Sequence, residues 1–181
     1  MKKITVVSPC YNEEDNVEIC WQTVKAIFEK DLPDYEREHI FVDNSSTDRT
    51  VEILRNLATK DPSVKVVVNA RNFGVFHSTF NRLRHATGDA TLVMLPVDLQ
   101  DPPELLPEFV KLWEQGYEVV AGARSTREEG FFLRTAGKAF CRIVNGLSDF
   151  RISPDVGELQ LIDRKVLKAV LQHNDHFPYI R

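Results

Sequence analysis

Two oxygen-bearing side chains, Asp98 and Gln100, lie two residues apart just after an apolar run at residues 92–95. In an extended chain such residues project to the same side. The run predicts a buried strand, and Pro-Pro-Glu at residues 102–104 predicts the start of a helix with Asp101 as its N-cap. Carboxylate and amide oxygens suit Mg²⁺ or Mn²⁺, which take further oxygens from phosphate and water. The stretch therefore predicts a metal and diphosphate site. The alternative is that these polar residues serve only a turn and a helix cap.

Bulk composition limits the classes of protein to which the chain can belong. It has 181 residues, of which 43% are hydrophobic and 28% are charged, values typical of one globular domain with a core. The net charge of −4 argues against a broad nucleic-acid-binding surface, so we predict no nucleic-acid partner. The three cysteines form no Cys-x-x-Cys pair, which favours a reducing, cytoplasmic compartment over a disulfide framework or a zinc site.

Signals for export or membrane insertion are weak in the printed sequence. The first apolar run, residues 4–8, is short and typical of a strand rather than of a signal peptide. No stretch approaches the roughly 18 apolar residues of a membrane span. Residues 175–181 do not taper into a polar tail, which leaves open that the chain is cut from a longer one.

Apolar periodicity alternates between two and about four residues along the first two thirds of the chain. Strands are predicted at residues 4–8, 39–43, 64–68, 92–95 and 117–121. Helices are predicted at residues 17–28, 50–58, 76–86 and 103–115, the third ending near Gly88 as a C-cap. This alternation predicts an α/β fold with a largely parallel, doubly wound central sheet and helices on both faces.

Four polar clusters follow the predicted strands. They are Pro9 with Tyr11, Asp43 with Asn44, Arg71 with Asn72, and Asp98 with Gln100. Because the carboxyl ends of parallel strands share one edge of the sheet, and ligands of such sheets bind there, we expect all four clusters to line one site.

The pattern changes after residue 121. A polar loop at residues 122–130 precedes a predicted helix at 131–147, whose Arg134, Lys138 and Arg142 form one basic face, either solvated or functional. Residues 131–133, Phe-Phe-Leu, would dip into a bilayer or, as we prefer, pack in the core. A strand at 159–162 and a helix at 164–171 follow. No repeat or linker divides the chain, so one domain is predicted.

Six ordered sequence blocks run through nearly the whole chain. They are Pro-Cys-Tyr-Asn-Glu at 9–13, Val-Asp-Asn-Ser-Ser-Thr-Asp-Arg-Thr at 42–50, Arg-Asn-Phe-Gly at 71–74, Asp-Leu-Gln-Asp-Pro-Pro-Glu at 98–104, Gly-Ala-Arg at 122–124, and Asp-Val-Gly at 155–157 with Leu-Ile-Asp at 161–163. In order and spacing they resemble the family-2 glycosyltransferases, which have the GT-A fold. Within that family the chain is most similar to the group that transfers a sugar from a nucleotide to a polyprenyl (dolichol-type) phosphate.

The resemblance implies roles for individual residues. The implied donor-binding residues are Pro9, Tyr11, Glu13, Val42, Asp43, Asn44, Arg71, Val97 and Asp98, with Val42, Asp43 and Asn44 at the base. Asp98 and Gln100 would hold Mg²⁺ or Mn²⁺ at the diphosphate of a UDP- or GDP-sugar. Arg124 would meet phosphate. The donor half would span about residues 1–123, and the acceptor half about 124–181.

The chain departs from the family pattern at positions near the implied metal and acceptor. Pro96 stands where a first carboxylate is common, and Asn44 where a second Asp often follows Asp43. Gln160 stands where an Arg is common in the family. His-Phe-Pro at 176–178 has no Arg beside its Phe, although the family usually has one there. These changes concern metal affinity and acceptor handling more than the fold.

Three of the donor residues also have simpler interpretations. Asp43 would accept from an N–H of uracil or guanine, or it would be a turn residue bonded to the amide of Ser45 or Ser46. Tyr11 would stack on the base or pack at the rim. Arg71 would reach a phosphate or be solvated.

The acceptor decides which catalytic groups are needed. A lipid phosphate is already largely ionised near neutral pH, because the second pKa of a phosphate monoester is about 6. It would need positioning by Arg124, with Arg127 or Arg134 assisting, rather than a strong base. A sugar hydroxyl would need a carboxylate to take its proton, Asp155 first and Glu158 second. The alternative for Asp155 is a capping role.

Three hypotheses follow from the sequence. The first is a metal-dependent glycosyltransferase that acts with inversion at the cytoplasmic membrane face, inversion being supported by the resemblance alone. The second is a catalytically impaired nucleotide-sugar-binding or scaffold module of the same fold. A nucleotidyltransferase is disfavoured because no Gly-rich loop bearing Lys or Arg follows the first strand.

Overall fold

A computed structural model describes residues 1–123 and 156–172 of the chain. The strands there are β1 Lys2–Cys10, β2 Tyr35–Asp43, β3 Val64–Val68, β4 Ala90–Leu92, β5 Val119–Ala123 and β6 Val156–Asp163. The helices are α1 Val17–Asp31, α2 Thr50–Lys60, α3 Gly74–Leu83, α4 Leu106–Glu114 and α5 Arg164–Gln172, with a 3-10 turn at Pro103–Leu105. None of these helices combines the length and apolar character needed to cross a membrane.

The six strands form one sheet in the order β3-β2-β1-β4-β6-β5. β1 pairs in parallel with β2 and β4, and β2 pairs in parallel with β3. β6 is antiparallel to both of its neighbours, β4 and β5. The predicted α/β fold with a mostly parallel sheet is therefore confirmed.

Side chains of the central strands alternate between two cores, as the two-residue period of a strand requires. Ile4 and Val6 of β1 belong to the larger core, which also takes the buried residues of α1, α2 and α4. Val7 belongs to the smaller core, which includes Leu83 from α3 and Leu167 from α5. Helices thus cover both faces of the sheet, as predicted.

All the predicted elements within the described residues are present, but β1, β2 and β6 are longer than predicted, β4 is shorter, and the predicted helix at 103–115 divides into a 3-10 turn and α4. β4 ends at Leu92, although Val93 and Leu95 still donate backbone hydrogen bonds to Gln160 (2.8 Å) and Val7 (2.9 Å) and stay buried. The predicted strand at 92–95 is thus an irregular continuation of β4. β6 is longer than predicted because it pairs with a strand on each side.

Two predicted caps are wrong. α3 ends at Leu83, so Gly88 does not cap it. Pro102 is the N-cap of the 3-10 turn and Leu105 is the N-cap of α4, and no side-chain hydrogen bond caps either. Asp101 instead lies buried, 7% exposed, beside this turn.

His39 of β2 is fully buried, and its stability contribution should depend on pH. Its Nε2 lies 2.9 Å from the Ser8 hydroxyl, and its Nδ1 has no hydrogen-bond partner among the described residues. Burial, reinforced by the charge of Arg37, lowers the pKa of His39 from 6.5 to about 3. Below pH 6.5 the unfolded chain therefore binds a proton at His39 that the folded chain does not bind. The free energy of unfolding falls as the pH drops from about 6.5 toward 3.

We expect the free energy of unfolding to fall by about 1 kcal/mol between pH 7 and pH 5.5 through this residue, at 1.36 kcal/mol per pKa unit. Urea unfolding of the wild type and of His39→Gln at both pH values measures it. His39→Gln keeps an amide for Ser8 but does not titrate, so its unfolding free energy should change less over this interval. An identical pH dependence in both proteins would contradict the assignment.

Candidate active site

The carboxyl ends of three parallel strands lie side by side at one edge of the sheet. In the register of the sheet, Cys10 of β1 pairs with Asp43 of β2, which pairs with Val68 of β3. The ladder continues one step further, since Asn44 N donates to the Cys10 carbonyl and Asn69 N to the Asp43 carbonyl, each at 2.9 Å. The irregular continuation of β4 leads to the same edge beside β1. The register and the hydrogen bond from Asn44 to Asn72 bring three of the four predicted clusters to this edge, and the turn with Asp98 and Gln100 follows the continuation of β4; that all four line one binding site stays a prediction.

The loop after β1 and the loop after β2 are joined by side-chain hydrogen bonds. Asn12, at φ +55°, receives the Thr47 amide on its Oδ1 (2.8 Å), and its own amide donates to Ser46 Oγ (2.9 Å). The Glu13 amide donates to Thr50 Oγ1 at 2.8 Å. These bonds hold the two loops as one rim around the strand ends. They were not predicted from the sequence, although the run of Ser, Thr, Asn and Asp at 43–50 was a signal for them.

Asp43 is fully buried, and its carboxylate forms the turn that was predicted as the alternative to base contact. Its Oδ2 accepts the Ser46 amide at 2.9 Å, and its Oδ1 accepts a short hydrogen bond from the Ser46 hydroxyl. Ser45 takes a positive φ of 68° within this turn. A carboxylate has room for further donors, so base contact by Asp43 stays a prediction.

The predicted donor residues differ in exposure. Val42 and Val97 are 1% and 2% exposed as whole residues and lie in the two cores, so contact of either with a nucleotide stays a prediction. Tyr11 is 45% exposed at the rim, and Pro9 is half-buried. Glu13 is also half-buried, and its carboxylate accepts from the Asn16 side chain at 2.6 Å.

Arg71 lies exposed on the loop between β3 and α3. Its guanidinium carbon lies 4.8 Å from the ring centroid of Phe73, which is itself 41% exposed. Stacking of this kind limits the rotamers of an arginine while leaving its N–H groups in solvent. Phosphate contact and simple solvation are both consistent with this position.

Asp98 and Gln100 do not lie in an extended segment, so that part of the sequence prediction is wrong. Leu99 between them has φ +54°, and its amide donates to the Pro96 carbonyl at 3.0 Å, which closes a turn. Asp98 Oδ1 accepts the Gln100 amide at 3.3 Å, a weak contact of the kind expected in an Asx turn. Both side chains are exposed at the site edge, where their oxygens are accessible to a ligand.

The donor set for a metal ion is small. Within residues 1–123 and 156–172, no three His, Cys, Asp or Glu side chains group as metal ligands. One exposed carboxylate and one exposed amide oxygen, from Asp98 and Gln100, fit a hard cation only if phosphate and water complete its coordination.

The acceptor side of the site begins where β5 ends and β6 starts. Ala123 pairs with Val156 in the antiparallel ladder, so these two strand ends are neighbours at the site edge. Next to this pair, a Cβ on Gly157 would lie 3.0 Å from the Gly122 carbonyl oxygen, so the two backbones approach closely. The predicted residues Arg124, Arg127, Arg134 and Asp155, and the side chain of Glu158, lie outside the described residues.

A protein-family model described as glycosyl transferase family 2 matches residues 5–171. The chain belongs to this family. Membership confirms the family and the enzyme class, glycosyltransferase, that the resemblance implied.

Curated relatives include bacterial and phage proteins of the same class. The chain is 36% identical over 178 residues to the "Uncharacterized glycosyltransferase YkcC" of Bacillus subtilis, with 98% of this chain and 54% of the relative covered. It is 36% identical over 169 residues to the "Bactoprenol glucosyl transferase" of Shigella phage SfX, with 93% and 54% covered. The chain thus spans about half the length of the curated relatives it matches.

A solved structure supports the fold. The mannosyltransferase PcManGT of Pyrobaculum calidifontis, in complex with GDP-Man and Mn²⁺, superposes with a TM-score of 0.60 at 24% identity, over 93% of this chain and 46% of that one. The predicted GT-A fold is confirmed by this likeness.

Proposed function

We propose that the chain is the catalytic domain of a glycosyltransferase that moves a sugar from a UDP- or GDP-sugar to a polyprenyl phosphate. The observation that carries the proposal is the pairing of the strand ends at Cys10 and Asp43, with the Asp98 turn following β4, in a member of glycosyl transferase family 2. A relative named bactoprenol glucosyl transferase supports the lipid-phosphate acceptor. In this proposal residues 1–123 are the donor half, and residues 124–181 belong to the acceptor half.

The donor would lie along the edge formed by β1, β2 and the turn after β4. Asp98 and Gln100 would hold Mg²⁺ or Mn²⁺, and the metal would offset the negative charge that develops on the departing nucleoside diphosphate. Tyr11 and Arg71 are both exposed, so in this proposal Tyr11 would pack against the base and Arg71 would contact a phosphate.

The acceptor would be positioned rather than deprotonated. An oxygen of the ionised lipid phosphate would attack the sugar carbon that bears the diphosphate. The carbon–oxygen bond to the diphosphate would break with its electron pair leaving on the nucleoside diphosphate, giving inversion. Arg124, Arg127 and Arg134 are the proposed phosphate contacts. A lipid acceptor places the reaction at the cytoplasmic face of a membrane, with peripheral contact by the domain. If the acceptor were a hydroxyl, Asp155 would be the base.

A thermal-shift panel of UDP-, GDP- and CDP-sugars, each with and without Mn²⁺, tests the donor part of the proposal. At a hundredfold excess over Kd, binding adds about 2.7 kcal/mol to the free energy of unfolding. That corresponds to a rise in Tm of about 5–10 °C for a domain of this size. We expect this rise for a UDP- or GDP-sugar in the presence of Mn²⁺. Absence of any shift by every UDP- and GDP-compound, with or without metal, would overturn the proposal.

A second candidate function is donor binding without transfer. Pro96 at the position of a common first carboxylate, together with the small donor set around Asp98, favours it. This candidate predicts nucleotide-sugar binding with neither transfer to a polyprenyl phosphate nor donor hydrolysis. Measured turnover with such a lipid would rule it out.

A further inference from the structure

Asn44, the first residue after β2, uses its side chain to hold the next loop along the sheet edge. The side chain is 9% exposed. Its Oδ1 accepts the Phe73 amide at 3.1 Å and lies 3.0 Å from the Ser78 hydroxyl, whose single proton also has the Gly74 carbonyl as an acceptor at 2.7 Å. Its Nδ2 donates to Asn72 Oδ1 at 2.7 Å. Three points of the segment from Asn72 to Ser78 are therefore bonded to one carboxamide.

The direction of each hydrogen bond is fixed by its partners. A backbone amide such as that of Phe73 can only donate, so the atom of Asn44 that faces it must be the oxygen. Asn72 Oδ1 also accepts the Gly74 amide at 2.9 Å, so the atom of Asn44 that faces Asn72 must be the nitrogen. A carboxamide satisfies both demands. A carboxylate at this position would have no hydrogen for Asn72 and would place negative charge against its oxygen.

The same network extends behind the loop. Asn69 Nδ2 donates to Asn44 Oδ1 at 3.2 Å, and Asn69 Oδ1 accepts from the Asn81 side chain at 2.9 Å. Asn69 is itself buried, with 5% of its surface exposed. The loop is thus fixed from β2 on one side and from α3 on the other, while Arg71 and Phe73 remain exposed at the rim.

We infer that Asn44 is a positioning residue whose carboxamide holds the loop at residues 71–74, and with it Arg71, in the place where a donor phosphate binds. This inference rests on the proposed function and changes the role that the resemblance implied for Asn44, which was contact with the base. It also accounts for Asn rather than Asp at this position, because the loop that reaches it presents an acceptor, Asn72 Oδ1.

The substitution Asn44→Asp makes the inference testable through pH. At pH 8 the variant carboxylate still accepts the Phe73 amide but cannot donate to Asn72, so the loop loses its bond through Asn72 and a negative charge faces Asn72 Oδ1. As the pH falls, the protonated carboxyl regains one donor and one acceptor. We expect the donor affinity of Asn44→Asp to be about tenfold below that of the wild type at pH 8 and to approach it near pH 5.5. Asn44→Ala should bind the donor weakly at both pH values. Arg71→Ala should lose a similar amount of donor affinity, whichever residue stands at position 44.

Donor affinity is measured by calorimetry with the nucleotide-sugar that gives the largest shift in the thermal panel, and hydrogen exchange reports on the loop independently. The Gly74 amide, which donates to Asn72 Oδ1, should be protected in the wild type and lose at least about tenfold of its protection in Asn44→Asp at pH 8, whereas the Phe73 amide keeps an acceptor at position 44. Reduced affinity with unchanged protection would mean that Asn44 contacts the donor itself, and would overturn the inference. So would full affinity and full protection of Asn44→Asp at pH 8. If no nucleotide-sugar binds the wild type, the proposed function fails, and the exchange data still decide what holds the loop.

Discussion

Replacing Asp98 with Ala is expected to lower sugar transfer about a thousandfold and to remove the Mn²⁺-dependent part of donor binding. Among the described residues, Asp98 is the exposed carboxylate at the turn after β4, and no three acidic, His or Cys side chains group there to substitute for it. Removal of one preorganised electrostatic contact to a transition state typically costs a hundred- to a thousandfold in rate. Loss of the metal places Asp98→Ala at the upper end of this range.

The control variants separate charge from structure. Asp98→Asn keeps an oxygen for the Gln100 amide and should preserve the turn, yet it should lose nearly as much activity because the charge is gone. Gln100→Ala should have a smaller effect, about tenfold. Asp34→Ala removes another exposed carboxylate, on the connection that leads into β2 at the opposite end of that strand, and should leave transfer unchanged.

Transfer rates with saturating nucleotide-sugar and a polyprenyl phosphate, and Tm shifts with and without Mn²⁺, measure these effects. Undiminished metal-dependent binding by Asp98→Ala would show that the metal is held elsewhere. An equal loss in Asp34→Ala would show a nonspecific charge effect.

The fold was predictable because it depends on local patterns that repeat. The two-residue period of β1 and β2 and the four-residue period of the helices fix which faces are apolar, and the helix between successive strands indicates parallel pairing. Neither the direction of β6 nor its place between β4 and β5 was predictable, because nothing within residues 156–163 distinguishes a central strand from an edge strand. That choice depends on the whole sheet.

The candidate site was predictable in composition but not in local geometry. Sequence placed Asp43, Arg71 and Asp98 at one edge, because strand ends are recognisable. It could not give the positive φ of Leu99, which depends on a backbone hydrogen bond to Pro96 and on partial burial of the leucine against the larger core. Nor could it reveal that Asn44 bonds to a loop 28 residues further along the chain, at Asn72. Contacts at such separations follow from the register of β1, β2 and β3.

Gly88 lies at the edge opposite the site, packed closely against Thr5 of β1 and Ala90 of β4. A Cβ at this position would lie 2.7 Å from the Thr5 amide nitrogen, 2.7 Å from Thr5 Oγ1 and 2.7 Å from the Ala90 carbonyl oxygen. Two of these are backbone atoms of paired strands, which cannot move aside without breaking the ladder. The Gly88 amide also donates to Thr5 Oγ1 at 2.9 Å, so the close approach is itself a hydrogen-bonded one.

Gly88→Ala is therefore expected to lower the free energy of unfolding by about 3 kcal/mol, from overpacking and a strained or lost buried hydrogen bond. For a domain of this size the Tm should fall by about 6–12 °C. Gly116→Ala is the matched control. Gly116 has φ +100°, and a methyl group added there would meet no heavy atom within 4 Å, so only backbone strain of about 1 kcal/mol is expected.

Urea and thermal unfolding of both variants, with donor affinity measured on the folded fraction, test the assignment. Because Gly88 lies away from Asp43 and Asp98, the donor affinity of folded Gly88→Ala should equal that of the wild type. If Gly88→Ala were as stable as Gly116→Ala, the pairing of β1 with β4 would tolerate a methyl group between Thr5 and Ala90. The register that places Val7 beside Leu95 would then not depend on this glycine.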